Sequence, residues 1–185
     1  IPANTLYTWT TPTGNGFING TAQNTPVGFI SGTLTNEVSS IVTATYLVTP
    51  TTVGQCAGNP FTVTIYLLPG ATISPINLTT CSGTPFRYTP VDGTDGIIPS
   101  TTLYTWSAPT GTGITNGDSQ TTSISYLFGT LSNQTNSIKT ATYTVTPGSF
   151  SCGNTNSFTL TVTVYPTPVI TAITSVVCSG FTFTV

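Results

Sequence analysis

Thr43-Ala44-Thr45-Tyr46-Leu47-Val48-Thr49-Pro50 returns almost unchanged as Thr140-Ala141-Thr142-Tyr143-Thr144-Val145-Thr146-Pro147, 97 residues further along the chain. Read with period two, Ala, Tyr and Val share one face, while the threonines (with Leu47 in the first copy) share the other. Successive side chains of a strand point to opposite faces, so this alternation specifies a half-buried strand. The tyrosine stands in the middle of the apolar face. The 97-residue offset orders the rest of the chain.

Working outward, Leu6-Tyr7-Thr8-Trp9 recurs as Leu103-Tyr104-Thr105-Trp106 at the same offset. Between residues 6–50 and 103–147, 25 of 45 positions are identical, an agreement that chance does not produce at one register. Trp precedes Tyr by 37 residues in both copies. A buried Trp and a later Tyr at this separation fit strands C and F of an immunoglobulin-like sandwich. On this reading Trp9, Tyr46, Trp106 and Tyr143 are the core signature of the repeat.

Thr13-Gly14-Asn15-Gly16 and Thr110-Gly111-Thr112-Gly113 read as turns, as do Asn19-Gly20 and Asn116-Gly117, a dipeptide that readily takes positive φ. A short strand follows, carrying Val27 and Phe29 in one copy and Ile124, Tyr126 and Phe128 in the other. After strand F comes a Gly/Asn-rich turn with one cysteine, Cys56 or Cys152. Strand G has the cleanest alternation: Phe158, Leu160, Val162 and Val164 on one face, threonines and Tyr165 on the other. Its first copy reads Phe61, Val63, Ile65 and Leu67. Pro69-Gly70 and Pro166-Thr167-Pro168 end these strands as short, stiff joints. A new unit then opens at Ile73 and Ile76, or Ile170 and Ile173, turns at Cys-Ser-Gly, and enters strand B with Phe86 and Tyr88, or Phe181, Phe183 and Val185.

The expected organisation is therefore three pieces. Residues 1–69 hold strands C to G of an incomplete sandwich, 70–166 a complete one, and 167–185 only strands A and B of a following unit. Ile1-Pro2 corresponds to Ile98-Pro99, so the chain opens inside a repeat, no leader is expected, and the chain reads as a piece of a longer one or a product trimmed from one. A sandwich without A and B exposes its core and sheet edges. Either neighbouring sequence continues the chain, or A and B of one subunit complete C to G of the next by strand donation. Such head-to-tail contacts do not close, so they generate filaments.

Composition narrows the function. Only Glu37, Arg87, Asp92, Asp95, Asp118 and Lys139 are ionised at neutral pH, for a net charge of −2. So few charges give no electrostatic footprint for nucleic acid or an anionic membrane. Threonine supplies 45 of the 185 residues; it is β-branched, suits strands, and wets an exposed face without charge. No run of 18 or more apolar residues is present to span a bilayer.

Cys-Ser-Gly before strand B, Leu-Tyr-Thr-Trp on C, Thr-Ala-Thr-Tyr-x-Val-Thr-Pro on F and a cysteine before G together resemble a PKD-like or Ig-like repeat. Such repeats are similar to those of giant secreted surface proteins of Bacteroidota, including gliding-associated adhesins exported by the type IX route. The resemblance covers essentially the whole chain. It implies a cell-surface stalk, an adhesin or an extracellular filament, and no catalytic residues.

Candidate sites are few. Cys56, Cys81, Cys152 and Cys178 recur at two equivalent places, which favours disulfides and an oxidising, extracytoplasmic setting. Pairing within a unit, Cys81 with Cys152, is one possibility; pairing of a B-start cysteine with the F–G cysteine of the next unit is another, and free thiols are a third. Asp92-Gly93-Thr94-Asp95-Gly96 offers two carboxylates on a Gly-rich turn as a calcium candidate, although Asp-Gly is equally an ordinary turn. Asn19, Asn77 and Asn133 fit the N-glycosylation pattern. With no histidine, no Ser-His or Cys-His dyad forms, and no enzyme and no cofactor are expected. The expected partners are copies of the chain itself, with a glycan or surface ligand held by the loops as the alternative. Those loops diverge most between Thr21–Pro26 and Asp118–Ser123.

Overall fold

The computed structural model describes residues 1–148 and 156–184. Cys152 and Val185 lie outside these. The described chain is all β, with no helix, and folds as two sandwich-type units in tandem.

The first unit contains β1 (Leu6–Trp9), β2 (Phe17–Ile18), β3 (Gln23–Val27), β4 (Thr35–Asn36), β5 (Val42–Thr51) and β6 (Phe61–Leu67). Four of them form one sheet in the order β3-β1-β5-β6, and β2 pairs β4 in a small ribbon. The second unit contains β7 (Thr72–Ile73), β8 (Ile76–Cys81), β9 (Pro85–Tyr88), β10 (Gly96–Ile97), β11 (Leu103–Trp106), β12 (Ile114–Thr115), β13 (Gln120–Ile124), β14 (Leu127–Thr130), β15 (Ser132–Asn133), β16 (Lys139–Gly148) and β17 (Phe158–Tyr165). Its main sheet has five strands, β13-β11-β16-β17-β8, and a β9–β14 ribbon contributes Phe86 and Leu127 to the core. Residues 167–184 carry no strand.

Corresponding registers are identical. Trp9 pairs with Val48 and Trp106 with Val145, so the C and F strands are neighbours in one sheet of each unit. Ala44, Tyr46 and Val48 are buried, as are Ala141, Tyr143 and Val145, while the alternating residues face outward. The left-handed backbone of the Asn-Gly turns sits on the asparagine in both copies, φ 69° at Asn19 and 68° at Asn116. Outward threonines meet across the β16–β17 ladder as Thr140–Thr163, Thr142–Thr161 and Thr144–Thr159. Directly opposed hydroxyl-bearing, β-branched side chains favour the sheet and hydrate its face without charge.

The short strand after the Asn-Gly turn is earlier than its sequence suggests. β3 ends at Val27 and β13 at Ile124, so Phe29 and Tyr126 lie beyond them. In the second unit the chain resumes as β14, because β9 is there to pair with it: Leu127–Tyr88, Phe128–Arg87, Gly129–Phe86 and Thr130–Pro85. The equivalent residues 30–33 of the first unit have no partner and form no strand. A strand needs a neighbour for its backbone N–H and C=O groups, and the first unit lacks that neighbour.

Candidate functional site: an open groove in the first unit

The two units differ where β8 and β9 lie. β8 runs parallel to β17, from Leu160 opposite Ile76 to Tyr165 opposite Cys81, and closes that edge of the sheet. Phe86 of β9 enters the core from the other side, its ring 6.2 Å from that of Tyr143 in an edge-on arrangement. Phe158, Leu160, Val162 and Val164 are all buried beneath this cover.

No segment of the described chain covers the first unit in this way. Phe61 is 40% exposed where Phe158 is 5%, and Ile65 is 39% exposed where Val162 is fully buried. The uncovered surface forms a groove of about 640 Å³, lined by Trp9, Gly32, Leu34, Tyr46, Val63 and Ile65 among others. β6 keeps a free edge along the groove, and residues 30–33 lie unpaired on its opposite lip. Three of the side chains that close the second core, Ile76, Leu78 and Phe86, have their counterparts at Ile173, Ser175 and Phe183, in the exposed C-terminal segment.

The second unit has a different hollow, a cleft of about 620 Å³ beside β9, β13 and β14. Arg87 lies with its guanidinium carbon 3.9 Å over the Tyr126 ring, a cation–π stack. Phe128 packs between Tyr126 at 5.8 Å and Trp106 at 5.6 Å. Asp118 and Gln120 line the same cleft. In the first unit Ser31 stands in place of Phe128 and Thr21 in place of Asp118, so the cleft is particular to the second copy. Sequence reasoning marked the loop divergence at Asp118–Ser123 but missed Arg87 and Tyr126; the signal was the rarity of charge, since two of the six ionised residues converge here.

Of the sequence-derived site residues, Trp9, Tyr46, Trp106 and Tyr143 are buried in their units. Burial pushes the Tyr104 and Tyr143 hydroxyls up to about 12. The Tyr143 hydroxyl is buried without a hydrogen-bond partner.

Asp92 and Asp95 both accept protein hydrogen bonds. The Ile98 N–H donates to Asp92 at 2.8 Å, and the Ser39 hydroxyl of the first unit donates to its other oxygen at 2.5 Å. The Ser39 bond, then the Ile98 bond, holds the Asp92 carboxyl below its usual range. Asp95 accepts from the Val91 N–H at 2.7 Å and from the Tyr88 hydroxyl. The pair therefore organises the 91–98 loop and one contact between units. Among the described residues no three Asp, Glu, His or Cys side chains gather to hold a metal.

Cys56, Cys81 and Cys178 carry free, exposed thiols. Asn133 is buried, donating to the Ser137 and Val164 carbonyls and accepting from Thr135. Its amide is consumed by the fold and is not open to a glycan.

A PKD-like domain family model matches residues 3–71 and 92–168. The chain belongs to the PKD-like domain family, as two consecutive copies, and such domains are extracellular-type repeat modules. Residues 72–91, which hold β7, β8 and β9, fall between the two matches. No curated protein matches the chain. Among solved structures it is similar to an endo-fucoidan hydrolase of glycoside hydrolase family 107, at 17% identity and a TM-score of 0.34 over 88% of this chain. A singly substituted form of that enzyme gives 18% identity and a TM-score of 0.32 over 89%. The chain spans 24% of the length of either enzyme, and likeness at this level says nothing about activity. No helix of the described residues is long and apolar enough to cross a membrane.

Proposed function

We propose that the chain is a structural, non-catalytic subunit of an extracellular filament or cell-surface stalk, built head to tail from stacked PKD-like units. The observation that carries this reading is the contrast between one closed and one open sandwich in a single chain. Burying an exposed Phe, Ile or Leu side chain stabilises by about 1.5–3 kcal/mol each. The open β6 edge, Phe61 and Ile65 therefore favour acquisition of strands from outside the unit. A heterologous contact of that kind propagates rather than closes. The near-absence of charge suits such a fibre, because neither salt nor moderate pH change acts on its contacts. Export by the type IX route of a Bacteroidota cell belongs to the same reading, on the resemblance of the repeats.

The exposed thiols fit this reading as staples between neighbours. Cys56 lines an apolar hollow of about 610 Å³ with Tyr7 and Phe61, and Cys81 lies beside Tyr165 at the end of β17. Pairing would remove two protons and two electrons from two thiols, delivered to an oxidant of the disulfide-exchange class.

The test is electron microscopy with sedimentation of the purified chain. Filaments that lengthen with protein concentration are the expected result; single particles at every concentration would sink the proposal. The second reading is an adhesin module, favoured by the Arg87–Tyr126–Phe128 cleft. Aromatic faces with a few convergent polar groups suit a sugar ring. Glycan-array binding that Tyr126→Ala abolishes, with assembly intact, would put recognition ahead of scaffolding.

A further inference from the structure

We infer that the groove of the first unit is filled by residues 173–184 of a second copy of the chain, with the Phe183 ring laid over Gly32. This rests on the filament reading and supplies its joint.

Gly129 shows what a glycine at this position is for. Its φ lies outside the left-handed region, so backbone freedom does not demand it. A Cβ there would stand 2.9 Å from Cζ of Phe86, closer than real side chains come. The ring crossing the backbone must give way to any larger residue, and glycine lets it lie there without strain. Gly32 occupies the same place in the first unit, again without a left-handed φ, and a Cβ there would meet only the Tyr46 hydroxyl, at 3.4 Å. Within its own chain Gly32 has no steric reason to be glycine. A ring crossing it from outside supplies one.

The occupant follows from the repeat. At the 97-residue offset Ile76 becomes Ile173, Cys81-Ser82-Gly83 becomes Cys178-Ser179-Gly180, and Phe86 becomes Phe183. This segment has no cover of its own: Val176 is 97% exposed and Phe183 66% exposed. Carrying over the β8–β17 register sets Ile173 beside Val63 and Val177 beside Leu67, in a parallel strand closing the β6 edge. Carrying over the β9–β14 register sets Phe183 opposite Gly32. The donor therefore restores both missing neighbours, one on each lip.

The tail does not reach the groove of its own chain. It leaves from Tyr165, at the end of β17 remote from the link between units, and Ile173 is eight residues further on. Eight residues span at most about 29 Å. The path back along β17, Phe158–Tyr165, takes about 24 Å at the rise of a strand, and the run from Leu67 to Val63 adds about 14 Å. Residues 173–184 that fill the groove therefore come from another copy of the chain.

The test uses the full chain and a synthetic peptide of residues 167–185. The peptide fills grooves without offering one, so an excess is expected to shorten filaments to single subunits. Phe183→Ala in the peptide should raise the concentration needed by more than about tenfold. Gly32→Leu in the full chain should abolish growth while leaving the fold intact by circular dichroism. Filaments that ignore both peptide and Gly32→Leu would overturn this inference and leave the filament reading standing. Single particles for the unsubstituted chain, with residues 173–184 exchanging amide hydrogens freely, would overturn both. Gly32→Phe gives a second variant should Gly32→Leu fail to fold.

Discussion

Gly129 and Gly32 hold equivalent places in the repeat; Gly129 lies in a paired strand under the Phe86 ring, and Gly32 has neither the paired strand nor the ring. Gly129→Ala puts a Cβ against the Phe86 ring, and overpacking of this kind costs about 1–3 kcal/mol. Gly32→Ala is expected to leave the unassembled chain unchanged and to weaken assembly; denaturant unfolding of unassembled protein and filament length, measured side by side, check this. The buried tyrosines make a second prediction. Tyr104 and Tyr143 are raised to about 12 in the folded state from an unfolded value of about 10. Stability from keeping them neutral is fully present below about pH 10 and is lost as pH rises through about 12. An ultraviolet titration should show two tyrosines ionising late, together with unfolding; eight tyrosines titrating as one class near 10 would contradict it.

At the scale of the strand, the two copies of the G strand carry the same pattern with different outcomes. Leu160 is buried in the complete unit, and Leu160→Ala should cost about 2–5 kcal/mol. Ile65→Ala, on an edge strand open to water, should cost under about 1 kcal/mol in the unassembled chain and more once assembled. Unfolding with and without the donor peptide separates the two. The alternation of Thr43–Pro50 and Phe158–Tyr165 made these strands legible in the sequence, since period two with one apolar face admits little else. The pairing of Trp-bearing and Tyr-bearing strands was legible from the repeat. The β14 strand was not, because whether residues 30–33 and 127–130 form a strand depends on a partner distant in the chain, and local pattern does not carry that. The Asp92–Ser39 contact was likewise hidden. Asp-Gly reads as a turn or a cation loop, and only the fold brings the Ser39 hydroxyl to the carboxylate. Chelator is accordingly expected to leave the melting temperature unchanged, and a fall would restore the calcium reading of Asp92 and Asp95.

At the scale of the molecule, the chain is one closed sandwich, one open sandwich and a segment with the sequence of the missing cover. Six ionised side chains in 185 residues leave cohesion to apolar packing, β-pairing and threonine-faced sheets. Filament length should hold from low salt to about 1 M, where surface charges are fully screened; dissociation on that change would show that ion pairs hold the joint. The most direct measurement places a benzophenone photocrosslinker at position 183 and mixes light with isotope-heavy chains. Irradiation of the assembled mixture is expected to join position 183 to the 30–46 region, with light–heavy pairs at the statistical share. Crosslinks confined to single chains, or none to the first unit, would contradict the claim that each subunit is completed by its neighbour.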